Sequence, residues 1–289
     1  MKLVSFLGPD GPSVGVLRDE QRVIDLCAGD ADLPRDMVAL LRGGDENMAR
    51  ARTGNERANV VRDLGAIQIQ APILRPGKFL AIGLNYAEHA RETGRKPPEF
   101  PTVFCKQATS VNRPGGAILL PPESDQVDYE GELALVIGRK CRRVRRADAQ
   151  GVIAGYTIVN DVTVRDWQAR SPTFTLGKGW DTHAPMGPAL VTADEVGDPC
   201  TLRLRTFVNG ELRQDASTAD LIFDVYTLVE IVSTAFTLEP GDVISTGTPS
   251  GVGFAMQPQR FLRPGDVVRI EIDRLGVLEN PVEQERTPG

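Results

Sequence analysis

Alternation of apolar and polar residues predicts strands over most of the chain beyond residue 72. DVVRIEID, residues 266–273, alternates three aliphatic side chains with charged ones, as a strand does when one face packs on a core. LRLRTFVNGELRQ, residues 202–214, predicts a hairpin, because Asn209-Gly210 supplies two residues that tolerate positive φ in a type I′ turn. We therefore expect a body rich in β-structure.

A different period marks the helices. From Val225 to Phe236, apolar residues recur at i, i+3, i+4, i+7, i+10 and i+11, which places them on one side of a helix. Residues 1–71 predict strands in KLVSFLG, SVGVL and RVIDL and helices in DMVALLR and ENMARARTGNERANV. The chain lacks the regular strand–helix alternation of a doubly wound sheet or a TIM barrel. We expect an α+β, β-rich fold with a small N-terminal domain over 1–71 and a main domain over 72–289.

Composition narrows the classes of partner. The chain has 39 acidic and 33 basic residues, a net charge of −6 and no long run of one sign, which argues against a nucleic-acid partner. No apolar run approaches the ~18 residues that span a bilayer, and the first residues lack the pattern of a secretory signal. We expect a cytoplasmic protein with no membrane partner.

Cysteine and histidine usage limits the metal chemistry. The four cysteines show no CxxC spacing, so neither a disulfide framework nor a zinc knuckle is indicated. The sequence has only two histidines, His89 and His183, so a metal site has to rely on carboxylates. Oxygen ligands favour Mg²⁺, Mn²⁺ or Ca²⁺ over zinc.

The stretch DYEGELALVIG, residues 128–138, combines an apolar strand with two glutamates at its start. Side chains alternate faces along a strand, so Glu130 and Glu132 point the same way. Close like charges next to an apolar sheet are costly unless a cation joins them, although a strand end at the surface would leave both in water. Asp161, which follows the apolar GYTIV, can complete an oxygen triad, whereas Asp166 lies in a polar turn where capping or pairing with an arginine is the better interpretation.

Three other segments offer polar groups to a ligand. His89 and Glu92 lie three apart in GLNYAEHARETG, on one side of a helical turn, where the carboxylate can orient the imidazole as a base, although such pairs also occur as surface decoration. Lys178 lies between two glycines in FTLGKGWD, where a backbone can approach a ligand, although a surface lysine is the simpler interpretation. STGTPSGVG, residues 245–253, is expected to offer backbone N–H groups and the Thr248 hydroxyl to an anionic ligand.

In this order, NYAEH, FCK, DYEGELALVIG, NDVTVRD, GKGWD, VNGELRQ and GDVISTGTPSGVG resemble the fumarylacetoacetate hydrolase family, over about residues 72–282 and closest to its acylpyruvase and 2-hydroxyhepta-2,4-diene-1,7-dioate isomerase branch. The resemblance implies a mixed β-sandwich roll, a homodimer, and Mg²⁺ or Mn²⁺ held by carboxylates. It implies the following site residues: Glu130, Glu132 and Asp161 as metal ligands, His89 and Glu92 as the water-activating dyad on a segment that orders with ligand, Lys178 as the group that stabilises an oxyanion or enolate, and Lys106, Arg165, Gln168 and Thr248 as substrate contacts.

The resemblance also implies a substrate class, the acylpyruvates and related β-diketo or 2-oxo acids. Because a His-Glu dyad suits water chemistry, we expect a hydrolase that cleaves a C–C bond through an enolate, in aromatic or sugar-acid catabolism. The alternatives are an oxaloacetate decarboxylase or an oxo-diacid isomerase or tautomerase with the same metal site, and a non-catalytic binding protein. Gly179 and Trp180 depart from the family pattern, which predicts a reshaped pocket, and we expect His183 to have a structural role.

Overall fold

A computed structural model describes residues 1–286 of the chain. In residues 1–71 the elements are β1 (Lys2–Gly8), β2 (Gly11–Leu17), β3 (Arg22–Asp25), α1 (Leu26–Gly29), α2 (Met37–Arg42), α3 (Gly44–Arg57), β4 (Val61–Asp63) and β5 (Gln68–Ile69). The later strands are β6 (Phe79–Gly83), β7 (Thr102–Cys105), β8 (Val111–Asn112), β9 (Ile118–Leu120), β10 (Val127–Asp128), β11 (Gly131–Ile137), β12 (Ile153–Asn160), β13 (Thr163–Val164), β14 (Ala184–Thr192), β15 (Arg203–Val208), β16 (Glu211–Ser217), β17 (Val243–Ser245), β18 (Val267–Ile272) and β19 (Gly276–Gln284). The later helices are α4 (Ala87–Glu92), α5 (Arg165–Gln168), α6 (Thr175–Lys178), α7 (Ala193–Val196) and α8 (Val225–Ala235).

One large sheet organises the described chain. Its strands follow the order β4-β3-β2-β1-β14-β12-β11-β17-β6-β7, and a second sheet follows the order β16-β15-β18-β19-β9. Most neighbours are antiparallel, but β17 pairs with β6, and β19 with β9, in parallel. This mixed, strand-rich arrangement confirms the predicted α+β class.

Strand β11 is buried on both faces. Leu133, Leu135 and Ile137 pack in a core with the second sheet and α8, whereas Ala134 and Val136 pack in a second core on the other face. A strand covered on both sides needs apolar residues at every position, which explains its unbroken apolar run. Since side chains alternate, Glu130 and Glu132 belong to the face of Ala134 and Val136, as predicted.

The N-terminal residues share a sheet and a core with the rest of the chain. Strand β1 pairs with β14 through Lys2↔Val191 and Leu3↔Leu190. The second core joins side chains from β1, β2 and α2 to those of β11 and β14. Residues 1–71 are continuous with the rest of the described chain in hydrogen bonding and in packing. The domain boundary between residues 71 and 72 stays a prediction.

The predicted hairpin turn and the predicted helix α8 are both confirmed, although the helix ends before Phe236. Asn209 and Gly210 both have positive φ, 51° and 78°, and join β15 to β16 as a two-residue turn. Helix α8 begins after Asp224, whose side chain accepts a hydrogen bond from the Thr227 N–H. Phe236 does not continue the helix, because its φ of −149° is extended. Among the helices described, none is long and apolar enough to cross a membrane.

Candidate active site

Three buried carboxylates meet where β11 begins and β12 ends. Antiparallel pairing sets Gly131 opposite Asn160, so the flanking Glu130 and Asp161 are neighbours, and the Asp161 N–H donates to the Glu130 carbonyl at 2.8 Å. Each of Glu130, Glu132 and Asp161 offers an oxygen within 4.8 Å of the other two. These three residues, called the carboxylate cluster below, are at most 4% exposed, so the predicted triad comes together in the interior.

Cations compensate two members of the carboxylate cluster. Lys178 Nζ lies 2.6 Å from Glu130 and 2.7 Å from Asp161, and Lys106 Nζ lies 2.6 Å from Asp161. Arg165 pairs with the other Glu130 oxygen at 2.7 Å. Burial acts against ionisation, but Lys178 and Arg165 hold the pKa of Glu130 below its usual value.

Within residues 1–286, Glu132 forms no ion pair with a cationic side chain. Its Oε2 accepts hydrogen bonds from the Ser245 hydroxyl and from the Gly247 N–H, the latter at 3.0 Å. Burial, and then the charges of Asp161 and Glu130, raise its pKa well above the usual value. Glu132 is therefore the member of the carboxylate cluster that no ion pair within residues 1–286 compensates directly.

The donor set fits a divalent cation. Three carboxylates in one buried place are the hard oxygen ligands that Mg²⁺ and Mn²⁺ take, and in the described part of the chain one of them has no ion pair. Glu130, Glu132 and Asp161 would hold the ion, and its charge would lower the pKa of Glu132 by Coulombic attraction. The predicted metal ligands thus agree with the electrostatics of the fold.

The predicted dyad forms on α4. His89 Nδ1 lies 2.7 Å from Glu92 Oε1, and Glu92 Oε2 accepts from the Gly251 N–H at 2.9 Å. The carboxylate is thus held on both oxygens and fixes the ring. When Nδ1–H donates to Glu92, Nε2 is the ring atom that can accept a proton.

His89 of the dyad and Glu130 and Glu132 of the carboxylate cluster line one cavity of about 260 Å³. Its wall includes the following predicted residues: His89, Glu130, Glu132, Arg165, Gln168, Lys178 and Thr248. Phe104, Phe174 and Phe254 supply an apolar part of the wall. The site therefore combines a base, a candidate metal centre and a partly apolar pocket.

Lys106 has a different position from the predicted substrate contact. Its side chain is fully buried, and Nζ donates to Asp161 and, at 2.6 Å, to the Lys178 carbonyl. It does not belong to the cavity wall. Burial lowers its pKa, partly offset by the charge of Asp161. In this position Lys106 orients Asp161 from behind.

In the glycine-rich loop, residues 245–253, three of the N–H groups expected to bind a ligand bind carboxylates of the protein instead. Gly247 donates to Glu132, Gly251 to Glu92 and Gly253 to Asp128. The Thr248 hydroxyl donates to the Gly131 carbonyl at 3.0 Å. The loop thus satisfies carboxylates of the protein itself, because those side chains fold into it from three other segments.

Asp128 is a functional candidate that the sequence reasoning passed over. It is fully buried, accepts hydrogen bonds from Arg165 Nε at 2.9 Å and Nη2 at 2.7 Å, and accepts N–H bonds from Gly253 and Phe254. A signal was present, because D-x-E-x-E places Asp128 on the face of the two glutamates. Asp128 orients Arg165, which contacts Glu130.

The departures from the family pattern lie behind the cavity wall. Trp180 packs edge-on against Trp167 at 5.0 Å and donates to the Leu176 carbonyl. His183 is fully buried and contacts the Leu119 carbonyl through Nε2 at 2.8 Å. Gly179 is close to the Gln107 side chain, which a Cβ would meet at 2.9 Å. None of these three residues belongs to the wall of this cavity in the described chain.

Close packing of two short helices sets the position of Lys178. A Cβ on Gly177 would lie 2.5 Å from the backbone of Gln168, so only glycine lets α6 approach α5 this closely. Asp166, on the outer side of α5, accepts from the Ser124 hydroxyl and lies 3.6 Å from Arg170, the local role predicted for it. The close packing of α6 on α5 brings Lys178 beside Arg165 and Gln168 at the cavity.

The fold and the carboxylate cluster define a class of β-rich proteins with a candidate cation site made of oxygen ligands, and sequence comparison gives the family. Residues 78–283 match the family model described as fumarylacetoacetate (FAA) hydrolase C-terminal. The chain belongs to the fumarylacetoacetate hydrolase family, as the resemblance predicted.

Relatives and solved structures match the chain over nearly its full length. Oxaloacetate tautomerase fahd2, mitochondrial, of Xenopus laevis is 42% identical over 98% of this chain and 90% of its own. Oxaloacetate tautomerase FAHD2A, mitochondrial, of Homo sapiens is 41% identical over 98% and 91%. A maleylpyruvate hydrolase from Sphingobium sp. SYK-6, solved with manganese(II) and pyruvate, is 32% identical with a TM-score of 0.82, over 99% of this chain and 100% of that one. Fumarylacetoacetate hydrolase from Exiguobacterium antarcticum is 34% identical with a TM-score of 0.86, over the same shares.

Proposed function

We propose that this protein catalyses the keto–enol tautomerisation of a short 2-oxo-dicarboxylic acid such as oxaloacetate, with Mg²⁺ or Mn²⁺. The observation that carries the proposal is that His89, paired with Glu92, lines the same cavity as Glu130 and Glu132 of the carboxylate cluster. The frog and human relatives are named oxaloacetate tautomerases, which favours this reaction over the C–C hydrolysis expected from the sequence.

The size of the cavity supports a small substrate. Its volume of about 260 Å³ lies below the ~300–1,000 Å³ typical of pockets for drug-sized ligands. The wall offers several cationic side chains near the carboxylate cluster, which suits an anionic acid. A molecule of a few carbons with one or two carboxylates matches both features.

Tautomerisation needs one proton moved from carbon to oxygen. His89 Nε2 accepts the proton from the carbon beside the 2-oxo group, while Glu92 holds the ring and stabilises its charge. The same imidazolium returns the proton to the oxo oxygen, so no water is consumed. A divalent cation held by Glu130, Glu132 and Asp161 would supply Lewis acidity at the 2-oxo-acid end. Lys178 donates to the negative charge that develops there.

Hydrolysis of a C–C bond is the second candidate. The same dyad can take a proton from water instead of carbon, and a maleylpyruvate hydrolase shares the fold over almost the whole chain. Decarboxylation of oxaloacetate is related chemistry, because it also passes through an enolate. The three reactions differ in their products, so one set of assays separates them.

The test is to add purified protein and Mn²⁺ to enol oxaloacetate and to an acylpyruvate, with and without a chelator. A tautomerase removes the ultraviolet absorbance of the enol without releasing pyruvate. A decarboxylase releases pyruvate and carbon dioxide from oxaloacetate, and a hydrolase releases pyruvate from the acylpyruvate alone. Enol decay no faster than in a matched protein-free solution would overturn the proposal.

We also propose an oligomeric state and a type of partner for the protein. The homodimer follows from the family resemblance, and light scattering coupled to gel filtration tests it by the mass in solution. The small-molecule partner follows from the cavity and its charges. The cytoplasmic location stays a prediction, and the frog and human relatives are named as mitochondrial.

A further inference from the structure

The cationic side chains deep in the cavity already have partners. Lys178 and Arg165 are paired with Glu130, and His89 is paired with Glu92. Each of these groups can orient the reacting end of a substrate beside the carboxylate cluster. A second carboxylate on the substrate needs another partner, because a charge brought into a pocket unpaired loses its hydration.

Arg95 is held at the same cavity by the end of α4. Gly94 has a φ of +70°, its N–H donates to the Arg91 carbonyl at 3.0 Å, and the Arg95 N–H donates to the Ala90 carbonyl at 2.8 Å. These two bonds form a Schellman motif, the regular way to end a helix. The motif fixes the backbone of Arg95 relative to His89, six residues earlier in the chain.

The Arg95 side chain lines the cavity and is exposed at its opening. Within residues 1–286 it makes no ion pair and no side-chain hydrogen bond, unlike Lys178 and Arg165 in the same wall. Its helical neighbour Arg91 provides a contrast, since it pairs with Glu88 at 2.6 Å and does not line the cavity. An ordinary surface arginine would resemble Arg91.

The geometry points to Arg95 as the residue that selects dicarboxylic over monocarboxylic substrates, by pairing with the carboxylate farther from the 2-oxo group. The inference rests on the proposed function for the substrate class and adds the residue that recognises the second carboxylate. A guanidinium presents a planar fork of N–H donors that matches a carboxylate in two hydrogen bonds. The dyad helix thus carries both the base and the specificity contact.

Binding of two stable analogues tests the inference without turnover. Malate and lactate share a 2-hydroxy-acid end and differ by one carboxylate. Calorimetry on the Mg²⁺-loaded protein should show tighter binding of malate than of lactate. Arg95→Gln should weaken malate on the order of 10- to 100-fold and leave lactate unchanged, and Arg95→Lys should keep part of the preference. The matched control, Arg91→Gln, should behave as the wild type.

The outcomes separate this inference from the proposed reaction. No preference for malate in the wild type, equal weakening of both ligands by Arg95→Gln, or the same loss in Arg91→Gln would overturn it. If the protein turned over no oxaloacetate but lost its malate preference in Arg95→Gln, the reaction would fail and the inference would stand. If oxaloacetate turned over with a KM that Arg95→Gln leaves unchanged, the inference alone would fail.

Discussion

Lys178 places its ammonium group between Glu130 and Asp161, 2.6 and 2.7 Å from their oxygens. Although burial would lower it, these two carboxylates raise the pKa of Lys178, so the lysine is charged at neutral pH. It therefore balances the same two side chains that would bind a metal ion.

Lys178→Met removes the one cation that contacts both carboxylates, so that Glu130 keeps only Arg165 and Asp161 keeps only Lys106. We expect the metal-free variant to lose about 3 kcal/mol of unfolding free energy, the scale for breaking a buried ion pair. Added Mn²⁺ should recover more stability in the variant than in the wild type, while turnover falls by about 10²-fold or more. Denaturant unfolding with and without Mn²⁺ measures the difference. Lys140→Met, which removes an exposed lysine 3.5 Å from Glu239, is the control, and an equal Mn²⁺ effect in all three proteins would contradict the prediction.

Asp161→Asn tests the metal site itself. The amide supplies a weaker oxygen ligand and removes one of three charges, so Mn²⁺ affinity should fall by more than the ~10- to 100-fold typical of an outer-shell partner. Titration of the free ion, followed by electron paramagnetic resonance, measures the affinity. The matched control is Asp166→Asn, which alters a carboxylate outside the cavity wall. Equal Mn²⁺ affinity in the two variants would argue against the carboxylate cluster as the site.

His89→Ala tests the base without changing the metal ligands. Loss of a general base should lower kcat by roughly 10²- to 10⁴-fold, with Mn²⁺ affinity unchanged. Glu92→Gln should lower kcat by a smaller factor, because the amide still accepts one hydrogen bond from the ring. Steady-state kinetics and metal titration on the same preparations provide both readouts. Turnover that survived His89→Ala unchanged would exclude His89 as the proton carrier.

Asp128→Asn tests whether Asp128 positions Arg165 at the cavity. It weakens the buried contact with Arg165, and a broken buried ion pair costs about 3–5 kcal/mol of stability. Because Arg165 lines the cavity, KM should rise as well. Asp148→Asn, on an exposed pair with Arg145, should cost less than about 1 kcal/mol. An Asp128 variant as stable as the Asp148 variant would refute the positioning role.

Because His183 is buried, we expect the unfolding free energy of the protein to depend on pH. Burial lowers its pKa to about 4 from the ordinary 6.5, against the raising effect of its hydrogen bond to Leu119. Above pH 6.5 the ring is neutral in both states. As the pH falls from 6.5 to 4, the unfolded state takes up a proton first, which removes roughly 3 kcal/mol of stability.

The measurement is the unfolding free energy of the wild type and His183→Gln across this pH range. The carboxylates titrate in the same range, but they do so in both proteins. The wild type should therefore lose stability more steeply than the variant as the pH falls. Parallel curves would show that His183 is not held neutral by its burial.

Local sequence patterns predicted the parts of the fold that depend on neighbouring residues. The Asn209-Gly210 turn and the α8 stripe follow from backbone preferences over a few positions. The convergence of Glu130 and Glu132 follows from strand alternation alone. Local patterns also singled out Asp161, His89 and Lys178, to which the family resemblance gave roles, and the fold brings them to the same cavity or its carboxylate cluster.

Long-range contacts explain what the sequence did not predict. Lys106 resembles a ligand contact in FCK, but its partners Asp161 and Lys178 are 55 and 72 positions away, and only the folded chain shows them in front of it. The N–H groups of the glycine-rich loop have partners up to 159 positions distant. Arg95 was not among the residues predicted for the site, because its relation to the cavity depends on how α4 ends.

The glycine-rich loop has a consequence for engineering. Its N–H groups hold Glu92, Glu132 and Asp128, which belong to the dyad, the metal ligands and the arginine contact respectively. An insertion or a transplanted loop from a relative would shift all three at once, whatever its own side chains are. To change the substrate preference, it is therefore safer to substitute Arg95 or the aromatic side chains of the wall. Such a substitution leaves in place the loop that positions all three carboxylates.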